Sequence, residues 1–212
     1  ETVNLDHITR LQRRGIPLVF FDRDSDEIHA SKVMVDNEQS AYEAVKHLLE
    51  NGCKRIAFLA GPKNVSVSNQ RRLGYLRALA EAGIQEDDSL IIHSDYFQDT
   101  ATSQTHELMM RENRPDGILV VSDRLALGVL VGLRELKIRV PEDVKIVSFN
   151  NEPICGVVSP TISSVAQPLE EIGKLAMKLI LDQIEGRSDG SEPIIEVLKT
   201  KLIIRESSLK IS

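Results

Sequence analysis

Arg55-Ile56-Ala57-Phe58-Leu59-Ala60-Gly61-Pro62 is the stretch on which the fold turns: an unbroken apolar row closed by a glycine and a proline. A strand buried on both faces reads this way, because neither side of its pleat meets water. The flanking residues follow a different period. Upstream, Ala41, Ala44, Val45, Leu48 and Leu49 share one stripe of a helix predicted over residues 38–51, and Gly52 stands at its left-handed cap position. Downstream, a helix starting at Ser68 or Asn69 carries Leu73, Leu76, Leu79 and Ala80 on one stripe and stops at Gly83.

The same alternation continues outward in both directions. Ile16–Phe21, Lys32–Val35, Leu90–Ile92, Gly117–Val121 and Val144–Phe149 read as strands, with further helices near Thr102–Arg111 and Asp123–Leu136. Short apolar runs separated by helical stretches predict an α/β fold with mostly parallel sheets. After Phe149 the rhythm breaks at Pro153, Gly156 and Pro160. A strand at Ile162–Val165, an amphipathic helix over Pro168–Glu185, a loop at residues 186–192 and strands at Ile194–Leu198 and Leu202–Ile204 complete the chain, with Pro168 suited to the first helical position.

Composition narrows the function. The chain of 212 residues is 42% hydrophobic and 27% charged, which suits one substantial core or two small ones. No apolar run is long enough to cross a membrane, and residues 1–14 carry charges instead of an apolar export core, so no membrane partner and a cytoplasmic location are expected. Cys53 and Cys155 lie far apart without metal-ligand spacing and read as reduced, packed thiols, so no metal or cofactor is expected. The net charge is -6, and the basic spots at Arg10–Arg14 and Arg71-Arg72 form no extended patch, so this stretch of chain should not itself hold DNA.

No nucleophile elbow, phosphate loop, dinucleotide fingerprint or zinc-protease motif is present, and an enzyme is not expected. His93 and Asp95 point to opposite sides of a strand end. His7, His29, His47 and His106 read as surface residues.

In parallel sheets ligands gather beyond the carboxyl ends of the strands, where helix N-termini offer unpaired N–H groups. The residues there are Asp22-Arg23, Asp36-Asn37, Gly61–Arg71, Ser94-Asp95-Tyr96, Ser122-Asp123 and Asn150-Asn151, a polar set suited to a hydroxyl-rich metabolite. The competing reading makes Asp36, Ser68, Ser122 and Asp123 simple N-caps. Arg71 resists it, because a cation near a helix start is opposed by the dipole. A ligand is one reason for its presence, and a salt bridge to Asp36 or Asp95 is the other.

Six stretches then fall in the order of one known family. Arg14–Arg23, Val35-Asp36-Asn37, Arg55–Pro62, Arg71-x-x-Gly74-Tyr75-x-x-Ala78-Leu79, Val140–Asn151 and Pro160–Val165 through Gln167-Pro168 resemble the effector domain of LacI/GalR transcriptional regulators. The resemblance implies a periplasmic binding protein type I-like fold of two Rossmann-like lobes that the chain crosses three times, with a small effector held between them. Residues 1–36 and 166–198 would form a partial N-terminal lobe, and residues 37–165 and 199–212 the C-terminal lobe. The DNA-binding head and the first βα units that family members carry are expected to be absent, which predicts weak ligand binding and an exposed sheet edge.

By motif position the resemblance assigns Arg71 to gripping the effector, Asp36 to the first crossover, Tyr96 to stacking on the ligand, Ser122 to a helix start that reaches it, and Gln167 to a later crossover. Asn150 replaces a frequent Asp. A carboxylate only accepts hydrogen bonds, whereas an amide also donates, so the ligand is expected to present an acceptor there. Val65 and Val67 replace polar residues of several relatives and imply a drier wall. The implied partners are a sugar-like effector, operator DNA through the head, and a second copy in a homodimer, with effector binding shifting operator affinity allosterically. The alternative is the sugar-binding protein of an ABC transporter, which shares the fold.

Overall fold

The computed structural model describes residues 5–23, 25, 27–188 and 192–209, and these form two compact units. One comprises Glu1–Asp36 and Pro168–Thr200, the other Asn37–Gln167 and Lys201–Ser212. The second and third crossings lie two residues later than the sequence boundaries at 165/166 and 198/199. Strand β7 (Ser163–Ala166) and the turn after it stay with the larger unit, and the smaller unit keeps its last strand, β8 (Ile195–Leu198), to the end.

The smaller unit holds a parallel sheet of β1 (Val19–Phe21), β2 (Ser31–Val35) and β8 in that order. Helix α1 (Asp6–Arg13), which buries no residue, precedes it; its apolar side is only Ile8 and Leu11, too short a stripe for sequence reading to single out. Helix α6 (Leu169–Ile184) covers the sheet, packing Ile172 and Leu179 against Val33 and Val35. Of the loop expected at residues 186–192, positions 189–191 lie outside the described residues.

The larger unit is built on a six-stranded sheet, β4-β3-β5-β6-β7-β9. Its strands are β3 (Ile56–Ala60), β4 (Ile91–His93), β5 (Gly117–Val120), β6 (Lys145–Asn150), β7 and β9 (Lys201–Ile203), all parallel except β9, which runs antiparallel to β7. β3 and β5 are buried at every position, as their unbroken apolar sequences predict. Helices α2 (Asn37–Glu50), α3 (Ser66–Glu81), α4 (Gln98–Met109) and α5 (Asp123–Glu135) connect them. Gly52 and Gly83 adopt φ of 93° and 70° after α2 and α3, the left-handed caps read from the sequence. The backbone N–H of Cys53 then reaches Leu48 O and that of Ile84 reaches Leu79 O, satisfying carbonyls that each helix end would leave orphaned.

Two expectations need correction. α4 starts at Gln98, four residues earlier than expected, because Asp95 accepts from Phe97 N and from Thr100 Oγ1 and so organises a first turn that lacks apolar periodicity. His47 is not a surface residue. It is buried on α2, its Nε2 lying 2.7 Å from Ser208 Oγ, and Ser208 in turn meets Ser163 Oγ at 2.6 Å. Cys53 and Cys155 are both unpaired and buried, and burial pushes each thiol up to about 12.

Candidate functional site

The carboxyl ends of β3 to β7 gather five of the six residues singled out in the sequence, all in the larger unit. Arg71 anchors the group. It lies on the second turn of α3, buried, with its guanidinium 3.9 Å above the ring centroid of Phe149. Nε donates to Asn37 Oδ1 at 2.9 Å and Nη1 to Val121 O at 2.6 Å. The arginine thus ties the start of α2 to the ends of β5 and β6, and stacking on Phe149 holds its plane. Asp95, one of the salt-bridge partners considered, instead accepts from Phe97 N and Thr100 Oγ1 ahead of α4.

Ser122 is the N-cap of α5, its Oγ accepting from Leu125 N at 3.5 Å, so the capping reading holds for it. Asp123 and Ser68 are not caps. Asp123 is fully buried and accepts from Ser148 Oγ, from Ser164 Oγ at 2.7 Å and from Glu152 N at 2.7 Å. Ser164 Oγ also accepts from Asn151 N at 2.9 Å, so one buried carboxylate fixes the turn after β6. Ser68 lies inside α3, where its Oγ accepts from Gly61 N at 2.9 Å and pins the loop after β3 to the helix.

Asn150 and Gln167 meet directly. The β6–β7 ladder pairs Asn150 with Ala166, and Gln167 Nε2 donates to Asn150 Oδ1 at 3.0 Å. Asn150 has φ of 104° and Asn151 φ of 54°, conformations for which asparagine is among the better-suited side chains. Tyr96 follows β4 with φ of 67°. For a bulky side chain that costs about 1–2 kcal/mol, and the ring is laid against the Cα of Gly61, where any Cβ would collide with the Tyr96 hydroxyl. His93 bonds Gly61 O through Nδ1 at 2.9 Å, so it shares no proton with Asp95. Val65 and Val67 are buried, as apolar residues in the wall of this loop.

The sixth residue, Asp36, is exposed in the smaller unit at the end of β2, and its N–H donates to Leu198 O at 3.3 Å. Sequence reading did not single out Asn37 and Phe149, which hold the guanidinium. Asn37 opens α2 one residue after the end of β2, within the polar Asp36-Asn37 pair already noted beyond that strand, and that position was the available signal. Among the described residues no group of three or more His, Cys, Asp and Glu side chains could hold a metal ion, and no helix is long and apolar enough to cross a membrane.

With this geometry the chain can be set beside known proteins. The family model described as periplasmic binding protein-like domain matches residues 45–208. The transcriptional repressor CytR of Escherichia coli K12 is 34% identical over 197 residues, which cover 93% of this chain and 57% of that protein. The solved structure of a complex of the transcriptional regulator CelR with cellobiose matches with a TM-score of 0.86 at 34% identity, covering 93% of this chain and 60% of that one. A LacI-family regulatory protein from Chloroflexus aggregans matches with a TM-score of 0.86 at 30% identity, covering 95% of this chain and 72% of that one. The chain spans just over half the length of the curated relatives it matches. By the family model and by the likeness in sequence and structure together, it belongs to the periplasmic binding protein-like domain family, and within it to the LacI family of regulators.

Proposed function

We propose that this chain is the effector-sensing part of a LacI-type transcriptional regulator, binding a sugar or sugar derivative at the carboxyl ends of its strands and passing the bound state on to operator affinity. Its relatives are regulators of transcription, not transport components or enzymes, which decides against the periplasmic alternative. The observation that carries the reading is Arg71, a guanidinium kept 4% exposed, stacked on Phe149 and tied to Asn37 and Val121 at the place where parallel sheets bind ligands. Asn150, Gln167, Ser122 and Tyr96 supply amide, hydroxyl and aromatic groups at the same strand ends. A guanidinium held on a planar stack and by two donated hydrogen bonds has a fixed direction, which suits a stereochemically defined polyol.

Operator binding would belong to a head outside this chain, and the working state would be a homodimer. An apolar groove along α5, lined by Leu127, Leu130, Val131, Ile154, Val158 and Pro160, suits the contact between copies. The sugar reading is tested by differential scanning fluorimetry against monosaccharides, disaccharides and sugar acids. At a hundred times its dissociation constant a true effector adds about 2.7 kcal/mol of stability, and Arg71→Lys abolishes the shift. A panel in which no sugar raises the melting temperature would remove the proposal.

A further inference from the structure

The Asn150–Gln167 pair does more than join two strand ends. Gln167 Nε2 occupies Asn150 Oδ1, the accepting end of the amide. The donating end, Nδ2, has no partner among the described residues and is not among the buried polar atoms. Guanidinium groups flank Asn150 in the chain: Arg71 stacks on Phe149, and Arg205 Nη2 donates to Asn151 Oδ1 at 2.7 Å. The carboxylates of Asp123 and Asp95 are already engaged, Asp123 by Ser148, Ser164 and Glu152 N and Asp95 by Phe97 N and Thr100.

We propose that Gln167 is a positioning residue that turns the N–H groups of Asn150 toward the effector, selecting an oxidised sugar whose carboxylate or carbonyl oxygen can only accept. This rests on the sugar-sensing reading above. A hydroxyl both donates and accepts and so satisfies either end of an amide, whereas a carboxylate gains only from a donor and is repelled by an acceptor. The pairing with Gln167 therefore converts an ambiguous side chain into a one-way filter, and the neighbouring guanidiniums add a field of the matching sign.

Isothermal titration of the chain with galacturonate and galactose, and with glucuronate and glucose, tests the filter. In the unaltered chain the acid of one pair binds about tenfold more tightly than its parent sugar, the ratio that one charge-assisted hydrogen bond supports. Asn150→Asp reverses the ranking. Gln167→Glu reverses it as well, because a carboxylate only accepts and draws the Asn150 N–H groups to itself, leaving Oδ1 to the ligand. Gln167→Met, which removes the bond but keeps the volume, brings the ratio close to one while the melting temperature shows the fold intact. If sugars bind but all four proteins rank them alike, the filter is wrong and the sensing role stands. If none of the four compounds nor any other sugar binds the unaltered chain, the sensing role falls and the filter with it.

Discussion

His47 shows how much a single side chain can contribute in a place that its neighbours in sequence do not announce. It sits on α2 beside the apolar stripe of Ala44, Val45 and Leu48, and its buried ring meets Ser208, 161 residues away, at 2.7 Å. Burial lowers its pKa below the ordinary 6.5, with Glu50 partly opposing the shift. The unfolded chain therefore takes up the proton first as pH falls. Stability is complete above about pH 6.5 and is lost as the pH drops toward the folded value, at no more than about 1.4 kcal/mol per pH unit for one proton. Urea midpoints followed from about pH 8 down to pH 5 should show this slope, and His47→Gln should flatten it. A midpoint independent of pH in the unaltered chain would remove the role given to burial. Arg71 was legible in the sequence because its charge is misplaced for a helix start. Asn37 and Phe149 were not, since an asparagine after a strand usually caps and a phenylalanine within one usually packs.

Between the residue and the molecule lie the helix pairs, and there glycine sets the spacing. On α3, a Cβ at Gly74 would strike the carbonyl of Glu38 on α2; on α5, one at Gly128 would strike the carbonyl of Gln98 on α4. Both clashes are with backbone, which has nowhere to rotate. Gly74→Ala is expected to cost about 1–3 kcal/mol by overpacking, lowering the melting temperature. Gly173→Ala on α6, where nothing lies within 4 Å, should instead gain up to about 1 kcal/mol from helix propensity. Equal effects at the two positions would show that the α2–α3 approach is looser than described. The central strands β3 and β5 were readable because burial on both faces writes itself as an unbroken apolar run. The start of α4 was not, because Asp95 rather than periodicity places it.

For the molecule as a whole, the sequence alone showed alternating elements, and the triple crossing came only from the family resemblance. Periodicity records which face of an element is covered but not which unit covers it, so the return of β9 to the edge of the larger sheet left no local mark. Assembly is decided at this scale too. The α5 groove is apolar with Arg134 and Arg139 at its rim, and Val157 beside it is 77% exposed. Sedimentation equilibrium is expected to show a dimer, and Val157→Asp to yield a monomer with a nearly unchanged melting temperature. A monomer at all concentrations of the unaltered chain would move the contact elsewhere.

β9 and the buried serines at 207 and 208 come from the final stretch of the chain, yet they complete the edge and floor of a sheet begun at Ile56. Synthesis runs from the amino end, so β3 to β7 are made with the β7 edge open and His47 without its serine partner until residues 201–208 follow. The larger unit thus gains its edge strand only after α6 and β8 of the smaller unit have been made, and translation itself sets the order in which the two mature.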